Sequence, residues 1–193
     1  MIRIGAGELR GRVIKAPKGR TTRPTSARVR EAIFDVLGHH PTHGVPLEGG
    51  HVLDLYAGSG AMGIEALSRG AARAVFVERD RKAVQTLQEN LDTLGLANRA
   101  RIHAQDVRRA LPALRTGAPF DLVFLDPPYA DEARTRALLQ ALAPAECLTD
   151  EGVLVLEQAA GTTPYRPAGL GTPLVKRWGD TEALFFRHEP SHD

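Results

Sequence analysis

Apolar residues in this chain gather in short runs, separated by longer stretches in which hydrophobic positions recur three and four residues apart. The runs have the length of buried strands, and they predict strands at 52–55, 74–77, 101–104, 120–125 and 152–157. The periodic stretches between them predict helices at 61–69, 80–94, 107–114 and 131–142. Strands that alternate with helices pair in parallel, so the expected architecture is α/β with a mostly parallel, doubly wound sheet. Two further runs, 173–178 and 181–187, meet at Gly179-Asp180 and predict a closing antiparallel hairpin. Ahead of the first strand, residues 2–14 read as a small hairpin and residues 17–25 as a Pro- and Thr-rich stretch. A helix over 26–37 follows, with Ser26 as its N-cap.

Composition narrows this picture. With 193 residues and 42% hydrophobic content, the chain suffices for one well-buried domain and a small appendage, expected at 41–193 and 1–40 respectively. Its apolar runs are too short for a membrane span, and Met1-Ile2-Arg3 opens no signal peptide, so a cytoplasmic protein without a membrane partner is expected. The single Cys147 excludes an internal disulfide and a cysteine zinc cluster, and fits a small core residue. His39, His40 and His43 lie in a loop containing Pro and Gly, and no metal site is expected there. A monomer is the default.

Charge is unevenly distributed. Residues 1–30 hold nine Arg and Lys against the single acid Glu8, a net of +8, whereas the whole chain carries +2. A modest total therefore conceals a basic N-terminal segment suited to phosphate, where positive charge supplies affinity without sequence information. Among 25 basic residues only Lys15, Lys18, Lys82 and Lys176 are lysines, and the arginine fork favours bidentate phosphate contacts.

The chemistry concentrates at the ends of the predicted strands. Asp126-Pro127-Pro128-Tyr129 follows the run 120–125 directly. An exocyclic amine on a nucleobase is a poor nucleophile because its lone pair is delocalised, and acceptors for its N–H groups localise electrons on nitrogen. The Asp126 carboxylate and the Pro127 carbonyl form such a pair, since the following proline holds the chain extended and carries no N–H. Tyr129 offers a stacking face worth roughly 1–3 kcal/mol to an extruded base. Upstream, Gly58, Gly60 and Gly63 repeat the G-x-G-x-x-G spacing of dinucleotide loops. Asp54, four residues before the first glycine, is placed to hold an ammonium group at the mouth of the loop and would repel a pyrophosphate. Glu78 ends the second strand, where an acid accepts bonds from ribose hydroxyls. Asp106 follows the third strand, beside Gln105, and suits either an adenine amine or an N-cap. All four acids thus fall at strand C-termini along one expected crevice.

In this order the motifs resemble class I S-adenosylmethionine-dependent methyltransferases that carry the D/N-P-P-Y/F motif of amino-group methylation, and the likeness spans nearly the whole chain. Ile4-Gly5-Ala6-Gly7-Glu8-Leu9-Arg10-Gly11-Arg12 and Thr22-Arg23-Pro24-Thr25-Ser26-Ala27-Arg28-Val29-Arg30-Glu31-Ala32-Ile33-Phe34 resemble, more narrowly, the RsmD family of 16S ribosomal RNA (guanine-966-N2) methyltransferases. The resemblance implies a Rossmann-like sheet of seven strands, S-adenosylmethionine as cofactor, and guanine N2 of 16S rRNA in the assembled small subunit as substrate. It also implies site residues. Asp54, Tyr56, Gly58, Ser59 and Gly60 form the methionine-binding loop, Glu78 and Arg79 flank the ribose, and Gln105 and Asp106 meet adenine. Asp126, Pro127 and Tyr129 are catalytic, with Asp126 also bordering the cofactor. Thr22, Arg23 and Thr25 close over the methionine end, and Arg10, Arg12, Arg20 and Arg23 contact RNA. The tetrapeptide alone reads an amine and not a whole base, which leaves adenine N6 in RNA or DNA and a protein glutamine amide open. The glycine spacing alone permits an NAD-dependent oxidoreductase, and the basic segment alone a non-catalytic RNA-binding module.

Overall fold

The computed structural model describes residues 1–17, 26–127, 132–163 and 165–189. Two short strands, β1 (Ile2–Arg3) and β2 (Val13–Ile14), pair antiparallel and precede helix α1 (Ala27–His39). Ser26 caps that helix as expected, its side chain accepting the Val29 N–H at 3.2 Å. Strands and helices then alternate: β3 (His51–Leu55), α2 (Ala61–Ser68), β4 (Arg73–Val77), α3 (Arg81–Leu94), β5 (Ala100–His103), α4 (Val107–Gly117), β6 (Phe120–Leu125) and α5 (Glu132–Leu142). A short helix α6 (Pro144–Cys147), the long strand β7 (Leu148–Ala159) and the hairpin β8 (Leu174–Trp178) and β9 (Thr181–Phe186) complete the chain. The seven-stranded sheet runs β5-β4-β3-β6-β7-β9-β8, parallel through β7 and antiparallel thereafter, so the expected doubly wound sheet with a C-terminal hairpin is the fold found.

Boundaries differ where no pattern marks them. Strand β7 begins four residues before the expected 152, because a register shift between Phe120 and Leu122 lets Leu148 and then Val153 pair with β6. Gly152 sits in that irregularity, where an added Cβ would stand 2.9 Å from the Phe120 carbonyl. Neither α6 nor the 3₁₀ turn Ala97–Arg99 has a periodic signature short enough to read.

The sheet separates two apolar layers. On one face Val52, Phe76 and Phe124 pack with Ile33, Phe34 and Leu37 of α1, Ile64 and Leu67 of α2, and Leu87 and Leu91 of α3. On the other, Leu53, Leu55 and Val123 pack with Leu114 of α4, Leu138 and Leu139 of α5 and Cys147, whose thiol burial pushes up in pKa. Period-two alternation along β3 thereby places Asp54 on the α2 face, beside Val52.

The N-terminal arm joins the first layer through Ile4 and Ile14. Glu65 of α2, 1% exposed, anchors it: its carboxylate accepts the Gly5 N–H at 2.9 Å, the Ala6 N–H at 3.0 Å and Arg69 Nε at 2.9 Å, with Arg30 Nε at 3.6 Å. Arg30, also buried, donates to the Arg3 carbonyl at 2.6 Å. Further along, Ser68 Oγ accepts the Leu9 N–H, and Asn90 bonds both the N–H and the carbonyl of Lys15 while donating to the Ser59 carbonyl. One side chain thus ties the arm to the glycine loop.

Candidate active site

The strand order reverses between β3 and β6: the chain proceeds outward from β3 to β4 and β5 on one side and from β6 to β7 on the other. At such a point loops diverge to opposite faces and open a crevice beyond the strand C-termini. Leu55 pairs with Leu125, so the glycine loop and Asp126 leave neighbouring strands at the same level although some seventy residues separate them in sequence. Adjacent strands lie roughly 4.8 Å apart.

The loop after β3 is tightly wound. Tyr56, a non-glycine residue, is held at φ 61°, a conformation costing roughly 1–3 kcal/mol that persists only where surroundings enforce it. Gly60 caps α2 at φ 80°, and an added Cβ there would stand 2.4 Å from Leu87 Cδ1. At Gly63 a Cβ would lie 2.4 Å from Phe76 Cε1, so the third glycine serves close packing of α2 on β4. Tyr56, Ala57, Ala61 and Met62 are half-buried around the buried Gly58, Ser59 and Gly60, so the accessible part of the loop is narrow.

The acids take distinct positions. Asp54 is 3% exposed and accepts the Gly63 N–H at 2.9 Å, which corrects its expected place at the mouth: the carboxyl lies beneath the loop, against the first turn of α2. Burial pushes its pKa up to about 7, the Gly63 N–H opposes this, and the negative Glu78 adds to it. Glu78, buried as well, accepts N–H groups from Gly58, Arg79 and Asp80 at 2.8–2.9 Å and so shapes the loop it borders. Asp106 caps α4, accepting the Arg108 N–H at 3.0 Å, and pairs with Arg79 at 3.3 Å. Burial raises the Tyr56 phenol, and the Asp106 charge pushes the same way. Gln105 is half-buried next to them, its N–H on the His103 carbonyl. Asp126 is half-buried and Pro127 buried at the end of β6, whereas Pro128 and Tyr129 lie outside the described residues.

A carboxyl whose pKa is raised in the folded state contributes stability that is fully present below its unfolded value, near 3.8. That contribution declines as pH rises and is gone once pH has passed about 7. Asp54→Asn keeps an acceptor for Gly63 without a buried charge. The variant is therefore expected to melt above the parent at pH 8 and to gain less at pH 5. Thermal scans across that range check this; a gain that is equal at every pH would contradict the assignment.

The basic segment is smaller than its count suggests. Arg10 and Arg12 are exposed, Arg12 donating to the Thr93 carbonyl at 3.3 Å. Arg30, however, is buried against Glu65, where burial lowers its pKa and Glu65 opposes the shift. Lys15 pairs with Glu89 at 2.8 Å. Arg20, Thr22, Arg23 and Thr25 lie outside the described residues.

Two further polar groups at the crevice went unread in the sequence. Glu157 and Gln158 follow the apolar run of β7, where the strand-end rule applied to the other acids would have found them. Both are buried, and Gln158 Nε2 donates to Glu182 Oε1 at 2.7 Å and to the Thr162 carbonyl at 3.1 Å. The partner on β9 has no local signature.

Comparison with known proteins places the whole chain. A family model described as conserved hypothetical protein 95 matches residues 2–187. Ribosomal RNA small subunit methyltransferase D of Escherichia coli (strain K12) is 38% identical over 189 residues, 97% of this chain and 90% of that protein. A Bacillus subtilis (strain 168) protein is 42% identical over 157 residues, 81% of this chain and 82% of its own. A solved structure from Escherichia coli superposes with a TM-score of 0.82 at 34% identity, covering 97% of this chain and 98% of that one.

Proposed function

The chain belongs to the conserved hypothetical protein 95 family, the RsmD family, and from that premise we propose that it methylates the exocyclic N2 amine of a guanine in 16S ribosomal RNA. The methyl donor is S-adenosylmethionine. The substrate is the assembled small subunit, reached in the cytoplasm by a monomer whose residues 1–40 cover the cofactor and contact RNA while residues 41–193 carry out the transfer. The observation that carries this reading is the exit of the glycine loop and of Asp126-Pro127 from adjacent central strands at one level. A donor held at the loop and an amine held at Asp126 then face each other.

The residues present fit such a donor. Asp54 holds the first turn of α2 in place beneath the loop, the loop keeps Cβ atoms out of the way, and Glu78, Asp106 and Tyr56 border the place where a ribose and an adenine would lie. When bound, S-adenosylmethionine supplies an electrophilic methyl group on a sulfonium centre. The chain's own work is placement: Asp126 and the Pro127 carbonyl accept the amine N–H groups, localise its lone pair and aim it in line. Asp126 is positioned to accept the proton that the alkylated amine releases. Cys147, buried at the end of α6 with its thiol donating to the Leu142 carbonyl, takes no part.

The test is transfer of labelled methyl groups to small ribosomal subunits, naked 16S RNA and DNA, followed by nucleoside analysis. Label in N2-methylguanosine, strongest with assembled subunits, is expected. Label confined to N6-methyladenosine would overturn the guanine assignment.

A further inference from the structure

A narrow cleft, about 40 Å³ in volume and open to solvent at its mouth, lies directly beside Pro127, between α5, the C-terminal end of β7 and the segment that follows it. Leu139 and Leu156 supply an apolar floor, and the Arg136 guanidinium lies over the Tyr165 ring at 5.1 Å from its centroid, a flat cationic and aromatic pair of the kind that stacks on nucleobases. The cleft is separate from the loop and acids that border the cofactor side.

Gln158 presents the cleft with an amide of fixed orientation. The side chain is 9% exposed, and its amide cannot be turned round, because Glu182 Oε1 and the Thr162 carbonyl only accept and so require both Nε2 hydrogens. Its Oε1 meets no donor among the described residues, yet it belongs to a residue that lines the cleft. The result is an acceptor of fixed orientation on a residue that lines the cleft. Glu157 also borders the cleft, already engaged in an interaction of its own. The ladder between β6 and β7 ends at Leu125 and Leu156, and Pro127 and Gln158, two residues beyond each, both line the cleft.

We propose that the target base seats its amine-bearing edge in this cleft and that Gln158 Oε1 reads the ring N1–H of guanine while Asp126 and the Pro127 carbonyl hold the adjacent N2 amine. The inference rests on the methyltransferase reading above and names what selects its substrate. Among the amine-bearing bases only guanine places a ring N–H next to its amine; adenine and cytosine present a ring acceptor there, which would face Gln158 Oε1 lone pair to lone pair. Stacking on Tyr165 and Arg136 supplies affinity that is indifferent to the base, and the amide supplies the choice.

The test changes the substrate as well as the protein. Small subunits are reconstituted with 16S RNA carrying guanine or 2-aminopurine at the methylated position; 2-aminopurine keeps the 2-amine and lacks N1–H. The wild-type chain is expected to prefer guanine by roughly 10- to 100-fold in kcat/KM. Gln158→Met, which removes the acceptor, should lose most of that preference, whereas Tyr165→Leu should raise KM for both substrates and keep it. Should Gln158→Met fail to bind S-adenosylhomocysteine, the double variant Gln158→Met with Glu182→Leu replaces both members of the buried pair by apolar groups and takes its place. Equal rates on the two bases, or full preference retained without the Gln158 amide, would overturn the assignment and leave methyl transfer standing. A wild-type chain that transfers methyl groups to neither RNA nor subunits sinks the underlying function instead.

Discussion

Asp126→Ala is expected to lower methyl transfer by about 10³-fold while leaving affinity for S-adenosylhomocysteine nearly unchanged. The separation follows from position. Asp126 leaves β6 beside Pro127 and the cleft, on the substrate side of the switch point, whereas Asp54, Glu78 and Asp106 lie on and beyond β3 toward β5. An acceptor that acts on the amine contributes most as the nitrogen develops positive charge, so its loss falls on kcat. Asp126→Asn, which keeps one acceptor oxygen and removes the charge, should fall between the two. Single-turnover rates with parallel calorimetry separate chemistry from binding; equal losses in both would place Asp126 in cofactor binding and not in catalysis.

The largest effect on stability is expected at Glu65, far from the chemistry. Glu65→Ala strands the buried Arg30 guanidinium and removes the acceptor of the Gly5 and Ala6 N–H groups. Breaking a buried ion pair from one side costs about 3–5 kcal/mol, because the remaining charge is left without compensation. Denaturant unfolding should show that loss. Hydrogen exchange should show the arm released first, with fast exchange at Gly5 and Ala6. Replacing both partners, Glu65→Leu with Arg30→Met, should recover much of the stability without restoring the arm's two N–H bonds. A single variant that unfolds at the parent's midpoint would show that the pair contributes nothing.

These two residues differ in how visible they are in sequence. Asp126 stands at the end of an apolar run in a four-residue motif, and every feature that marks it is local. Glu65 stands inside a predicted helix with no motif around it, and its partners Gly5, Ala6 and Arg30 are 35 to 60 positions away. The same contrast explains Arg30. Counted along the chain it adds to a basic segment; in three dimensions it is an internal counter-ion, whereas Arg10 and Arg12 are exposed. Asp54 was legible as a strand-end acid, but its depth was not, because depth is set by α2 folding back over β3. For Asp106 the N-cap role, one of two readings the residue itself permitted, is present in the geometry.

The strands, their alternation with helices, the glycine loop and the strand-end acids were determined by the sequence alone, because period, length and turn chemistry act between near neighbours and leave a local pattern. The tertiary structure decided what those elements meet. Parallel strands pair without contact along the chain, so only the assembled sheet brings the loop after β3 level with Asp126, sets the β6–β7 register at Gly152, and orients the Gln158 amide through Glu182 on a strand that arrives last and antiparallel. Hydrogen bonds and burial between distant residues carry no periodic trace, so only the folded chain shows them.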